Sequence, residues 1–149
     1  MLSIKTMELE DQDLIEQTAF LEQQIFPDAW SYHEIRSTVK QTHTFCAAAK
    51  EGDTLLGYYL CYYVLDECEI ARIAVTEQAR GRGVGQRLLE HMESVCGEKQ
   101  LTKLLLDVRK SNKPAISFYT KNGFTVDGER KFYYGGDNPE DAVLMSKTL

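Results

Sequence analysis

The sequence lacks the marks of a membrane, secreted or nucleic-acid-binding chain. Its first residues, Met1-Leu2-Ser3-Ile4-Lys5, hold no apolar core of the signal-peptide kind. No apolar run approaches the ~20 residues needed to cross a bilayer, so no membrane segment is expected. Positive charge is in deficit: 17 Lys and Arg stand against 23 Asp and Glu, a formal net charge of -6. Affinity for nucleic acid is largely counterion release by Lys and Arg, so no nucleic-acid partner is expected. The acidic balance suits either solubility or a basic partner. Cysteine is sparse. Cys46, Cys61, Cys68 and Cys96 form no C-x-x-C pair, and His33, His43 and His91 lie away from them. That excludes zinc-type spacing and a dense disulfide framework, and no metal is expected. Free, mostly buried thiols fit a reducing cytosol, hence a cytoplasmic protein. With three prolines and no Pro/Gly/Ser linker, repeat or low-complexity tract, one domain over residues 1–149 is expected.

What is present reads as alternating elements. Ile4 to Met7 suits a short strand. Asp11 to Ile25 reads as a helix, with Leu14, Ile15, Thr18, Leu21 and Ile25 near a 3.6 period. Phe26-Pro27-Asp28-Ala29-Trp30 breaks it, and Ser31 caps a second helix to about Val39, with Glu34 at the capping-box position. Strands are expected at Thr44–Ala49, Leu55–Leu65 and Cys68–Val75, the first two joined by the turn Glu51-Gly52-Asp53. After a glycine-rich loop, Val84, Leu88, Leu89, Met92, Val95 and Cys96 mark one face of a long helix. Leu101–Val108 is a buried strand. Asn112 caps a further helix with Pro114 in its first turn and Gly123 past its end. Phe124–Tyr134 and Ala142–Leu149 close the chain as strands. The order β-α-α-β-β-β-α-β-α-β-β implies an α/β fold: a mixed sheet with helices on its faces, antiparallel at first and parallel around the two later helices.

The loop Arg80-Gly81-Arg82-Gly83-Val84-Gly85 follows a strand and opens a helix. Side-chain-free residues admit phosphate oxygens to backbone amides, and the helix N-terminus and two arginines add positive charge. The Rossmann fingerprint fails because the third glycine comes one residue early, and the Walker A loop fails because Gln86-Arg87 follows Gly85. A tight turn with solvated arginines is the competing reading. The segment resembles the R/Q-x-x-G-x-G/A pattern of GNAT acetyltransferases, on Arg80, Gly83 and Gly85. That resemblance implies acetyl-CoA as cofactor, with the amides of Arg80, Gly81, Arg82, Gly83, Val84 and Gly85 on its pyrophosphate. The backbone of Ile73, Ala74 and Val75 would pair with the pantetheine arm.

A second segment fills the Asn…A-x-x-x-Y-x-x-x-G-F pattern of the same family: Asn112, Ala115, Tyr119, Gly123 and Phe124. The resemblance covers about Cys68 to Met145. It implies that Tyr119 protonates the departing thiolate; taken alone, the residue also reads as a core tyrosine. Asn112 caps its helix and, by the resemblance, touches the pantetheine.

No cysteine nucleophile is indicated, so direct transfer to an amine in a ternary complex is expected. Two carboxylates compete as the base. Asp107 sits where enzymes of the ribosomal-protein-alanine type carry a glutamate in L-x-L-E-V-R; here the run is Leu104-Leu105-Leu106-Asp107-Val108-Arg109. Glu69 sits four residues before Ile73, the position of the base in histone-type members, and by strand alternation shares a face with Ala71, Ile73 and Val75. Either also reads as a surface carboxylate paired with arginine.

Arg130 to Met145 resembles the R-x-x-Y-Y…E-D-A-x-x-M ending of protein N-terminal acetyltransferases, and Phe26-Pro27…Trp30-Ser31 resembles their F-P-W-S segment, with Asp28 and Ala29 intervening. The resemblance places Phe26, Trp30, Tyr133 and Tyr134 on the acceptor groove; cross-strand packing is the plainer role for the tyrosines. The implied acceptor is a protein N-terminus, with a small amine (polyamine, aminoglycoside or amino acid) as the alternative, and a non-catalytic acetyl-CoA-binding domain as another. An α-amine of pKa ~7.8 costs about 1 kcal/mol to deprotonate at pH 7, and a lysine of ~10.4 about 4.6. A monomer or homodimer is expected.

Overall fold

The computed structural model describes residues 1–136 and 139–149. Asp137 and Asn138, within the Arg130–Met145 segment singled out above, lie outside them. The elements are β1 (Leu2–Thr6), α1 (Gln12–Ile25), α2 (Tyr32–Lys40), β2 (Thr44–Glu51), β3 (Thr54–Val64), β4 (Glu67–Val75), α3 (Val84–Glu98), β5 (Lys103–Arg109), α4 (Lys113–Lys121), β6 (Thr125–Tyr134) and β7 (Glu140–Thr148). The order is the one expected, with ends shifted by at most two residues. The clearest shift is Leu65, which leaves β3 at a left-handed φ of 55° and is exposed at the turn.

Local chemistry sets the helix boundaries. Ser31 Oγ accepts from the Glu34 amide while the Glu34 side chain accepts from the Ser31 amide, a complete capping box. Asn112 caps α4 through the Ala115 amide, and Gly123 follows it at φ 91°. Each apolar stripe finds one face of the sheet. Val84, Leu88, Leu89, Met92 and Cys96 of α3 pack with Tyr119 of α4 in one core cluster; Leu14, Ile15 and Leu21 of α1 pack with Ile35 of α2 in a second. Burying a leucine or isoleucine fully, as at Leu88, Leu89 and Ile15, contributes about 1.5–3 kcal/mol each. All four cysteines are free and buried.

The sheet runs β1-β2-β3-β4-β5-β7-β6. The expectation of parallel pairing around both later helices holds only across α3. β4 and β5 are parallel neighbours, but β7 inserts between β5 and β6 and runs antiparallel to each. The C-terminal strand thus occupies the slot that a second parallel crossover would have filled.

A bulge in β4 corrects a further expectation. Leu60 faces Arg72 and Cys61 faces Ile70, so Ala71 is the extra residue. Alternation flips there. Ile73 packs on the α3 side with Tyr59, whereas Glu69, opposite Tyr62, lies on the α1 side with Leu60 and Arg72. Glu69 therefore does not share a face with Ile73 and Val75.

Candidate active site

β4 and β5 pair only from Glu67–Lys103 to Glu69–Leu105, then separate. The gap is a cleft with two adjoining lobes. The inner lobe, about 390 Å³, is lined by Ile73, Ala74, Val75, Arg80, Gly85, Asn112, Ala115, Phe118 and Tyr119. The outer lobe, about 330 Å³, is lined by Asp28, Ala71, Arg72, Asp107, Arg109 and Tyr134. Phe26, Ile73, Arg80, Asn112, Ala115 and Tyr119 belong to both walls. A wider hollow of about 600 Å³ beside Phe20 and Leu55 carries none of the site candidates.

The glycine loop closes the inner end. Gly81 and Gly83 stand at φ 81° and 79°, a backbone that side chains rarely adopt, and nothing lies within 4 Å of where a Cβ would project. Gly83 is the N-cap of α3 and no side chain caps it. The first amides of α3 therefore lack intrahelical acceptors and carry the positive end of the helix dipole. Val84 is buried beneath the loop, and Gly85 lies against Phe118. Arg80 Nε donates to the Val75 carbonyl at 3.4 Å, while Arg82 is paired with Glu51 at 2.9 Å. The open strand edge and the uncapped amides fit a long phosphorylated cofactor whose arm lies along β4.

α4 forms the opposite wall. Tyr119 stacks edge-on against Phe118 and Phe124 at 5.4 and 5.3 Å. Its ring is buried in the core, as the plainer reading required, yet it also lines both lobes. Burial pushes its phenol well above the ordinary 10, so it keeps its proton throughout the neutral range.

The two candidate carboxylates come to one face of the sheet, but only Asp107 lines the cleft. Glu69 sits where the strands are still paired, beside Tyr62. Burial and then the Asp107 charge raise the Glu69 carboxyl above its ordinary 4.5, against a pull from Tyr62 and Arg130.

The residues expected on the acceptor side divide. Tyr134 is pushed up to about 12 by burial and by Asp107, and the Arg109 guanidinium lies 4.2 Å from its ring centroid while pairing with Glu140 at 3.2 Å. Tyr133 meets Tyr134 edge-on at 5.2 Å, lies beneath Arg130 and is half-exposed. The tyrosine pair is thus tied by guanidinium contacts at the mouth of the cleft. Phe26 lines both lobes; Trp30 lines neither, and packs behind it on the second core cluster.

Sequence reasoning missed Glu22 and Arg72. The Glu22 carboxylate, 0% exposed, accepts from Tyr58 Oη at 2.6 Å, the Trp30 amide at 2.8 Å and Arg72 Nε at 2.9 Å. Such a buried charge persists only when fully paired. Glu22 falls on the apolar face of α1, beside Leu21 and one turn from Thr18, and a glutamate there was the one available signal.

The sequence model of the Acetyltransferase (GNAT) family matches residues 8–124. A Bacillus subtilis protein named, provisionally, as a ribosomal protein bS18-alanine N-acetyltransferase is 32% identical over 151 residues, spanning 99% of this chain and 95% of that one. The ribosomal protein bS18-alanine N-acetyltransferase of Escherichia coli is 31% identical over 127 residues, 85% of each chain. The crystal structure of the Escherichia coli enzyme superposes with a TM-score of 0.89 at 28% identity, over 99% of this chain and 94% of that one.

Proposed function

The chain belongs to the GNAT acetyltransferase family and is an acetyl-CoA-dependent N-acetyltransferase, and from that premise we propose that its acceptor is the N-terminal α-amine of a protein, of the ribosomal bS18-alanine kind. One observation carries the reading: the outer lobe, which holds Asp107, is walled by Phe26 and by Tyr134, whose ring meets that of Tyr133. That is a slot suited to an extended chain end. The names of the relatives point the same way. Such an acceptor sets the work in the cytoplasm.

Acetyl-CoA supplies the acetyl thioester and is released as the free thiol. The amides of the Arg80–Gly85 loop and the start of α3 hold its pyrophosphate. The edge of β4 from Ile73 to Val75 takes the pantetheine, with Asn112 and Ala115 on the far wall. Asp107 receives, directly or through one water, the proton that the acceptor ammonium must lose before its free amine attacks the thioester carbonyl. Tyr119, protonated at every working pH, offers its proton to the departing sulfur. Glu69, raised and adjacent, is the alternative proton acceptor.

The test is acetyl transfer to a peptide library with free N-termini, with free lysine and polyamines as competitors. Peptides beginning with alanine should lead by roughly tenfold or more in kcat/KM, a discrimination of about 1.4 kcal/mol. Preference for a polyamine or for free lysine would replace this acceptor with a small amine.

A further inference from the structure

We propose that Arg72 is a positioning residue for the acceptor: together with Glu22 it locks the Phe26–Trp30 wall to the strand along which the donor lies. This rests on the reading of that wall as one side of the acceptor groove. The bulge at Ala71 is what makes the arrangement possible. It turns Arg72 to the α1 side of the sheet, directly beneath the loop between α1 and α2, while the next residue, Ile73, stays in the cleft wall.

The loop is caught at two points by one ion pair. Arg72 donates a terminal nitrogen to the Asp28 carbonyl at 2.9 Å and Nε to Glu22 at 2.9 Å. Glu22 in turn accepts the Trp30 amide at 2.8 Å and is anchored from below by Tyr58 of β3 at 2.6 Å. The guanidinium centre also lies 4.4 Å from the Phe26 ring centroid and 5.3 Å from that of Trp30. Loop, α1, β3 and β4 therefore converge on one planar fork. Lysine, a point charge on a flexible stem, cannot reproduce two directed bonds and two ring contacts at once. Arg72 is only 12% exposed, and although its side chain also lines the outer lobe, its Nε and one terminal nitrogen are committed to Glu22 and the Asp28 carbonyl. Its contribution is the placement of the wall, and the chemistry stays with groups that face the cleft.

The function follows from the geometry. The wall presents Phe26 to the cleft, and Ile73, the neighbour of Arg72, forms the facing edge. One side chain thus sets the distance between acceptor and donor. Loosening it misplaces the amine without disturbing the glycine loop, whose Arg80–Gly85 backbone lies beyond the C-terminal end of β4.

The experiment is steady-state acetylation of a peptide with a free N-terminal alanine by the full chain. The variants are Arg72→Lys and the double variant Glu22→Gln/Arg72→Met, with thermal melts alongside. Arg72→Lys should raise the peptide KM roughly tenfold or more, since displacements near 1 Å cost up to about 10² in rate. The acetyl-CoA KM should stay within about threefold, because the pyrophosphate amides are untouched. The double variant buries no unpaired charge, so it keeps the test alive if Arg72→Lys does not fold, and it should show the same peptide-selective loss. A folded variant with a wild-type peptide KM overturns the proposal. So does a parallel rise in both KM values, or the failure of both variants to melt cooperatively, which would make the network structural only. Failure of the acceptor reading looks different: the wild type itself then prefers a small amine, and the same variant-to-wild-type ratio is measured with that amine.

Discussion

Glu69 and Asp107 share one face of the sheet at the point where β4 and β5 part. Glu69 is opposite Leu105, two residues before Asp107, and the Asp107 charge helps hold the Glu69 carboxyl above its ordinary 4.5. Asp107 lines the cleft and Glu69 does not, which makes Asp107 the first choice for the base. Asp107→Asn should cut kcat/KM at pH 7 by roughly 10²–10⁴ and flatten its rise with pH, and the deficit should shrink at high pH, where the amine is already neutral. Glu69→Gln should leave the slope of the profile intact. The reverse pattern would give the base to Glu69, and an unchanged profile in both variants would mean that the amine loses its proton before binding.

Glu69 also makes a stability prediction. Its folded pKa lies above the unfolded one, so the folded state holds the proton to higher pH. Stability linked to this group is present at low pH and is lost as pH rises through the shifted value. Glu69→Gln should therefore raise Tm at pH 7, with the gain vanishing below about pH 4.5. A melt series across that range reads it directly, and an equal gain at every pH would assign the effect to packing.

Tyr119→Phe keeps the ring contacts to Phe118 and Phe124 and removes only the hydroxyl. It should lower kcat by roughly 10²–10⁴ with acetyl-CoA affinity nearly unchanged. An unaltered kcat in a folded variant would leave Tyr119 with its packing role alone.

Two glycines of one loop should respond differently. Gly83 needs its φ of 79°, which valine resists, so Gly83→Val should raise the acetyl-CoA Kd by roughly tenfold or more. Gly85 has an ordinary helical backbone, and a Cβ there would meet Phe118 at 3.5 Å, normal contact distance. Gly85→Ala should bind within about threefold of wild type, since it costs no backbone strain. Calorimetric titration with acetyl-CoA separates the two, and normal binding by Gly83→Val would reduce the loop to a turn.

Tyr134→Ala removes a half-buried ring from the mouth of the cleft and strips Arg109 of its stacking partner. The peptide KM should rise roughly tenfold, in line with loss of one well-packed aromatic contact. Tyr134→Phe should recover most of that, unless the phenol itself binds the acceptor backbone.

Much of the fold is legible in the sequence. Leu88, Met92 and Cys96 mark α3 by their period, Ser31 and Glu34 mark the start of α2, and Gly81, Gly83 and Gly85 mark a loop with no side chains over its amides where α3 begins. Three things were hidden, each for a physical reason. Alternation along Glu69-Ala71-Ile73-Val75 reads as one face, and nothing local marks Ala71 as an extra residue. Glu22 and Arg72 lie fifty positions apart, and no spacing rule joins a helix to a strand at that distance. The slot taken by β7 depends on which edge of β5 is free, a property of the assembled sheet.

The parting of β4 and β5 has a thermodynamic consequence. A continuous sheet has free edges only at its two sides; among the described residues this one also opens internally, where Ile70–Val75 and Leu106–Arg109 have no ladder partner across the gap between β4 and β5. A ligand that lies along one of those edges completes a missing rung of the fold itself. Amide exchange on the inner edge of β4 should slow when acetyl-CoA is added, and the melting temperature should climb with its logarithm. The metabolic supply of acetyl groups would then govern how long the polypeptide survives as well as how fast it turns over.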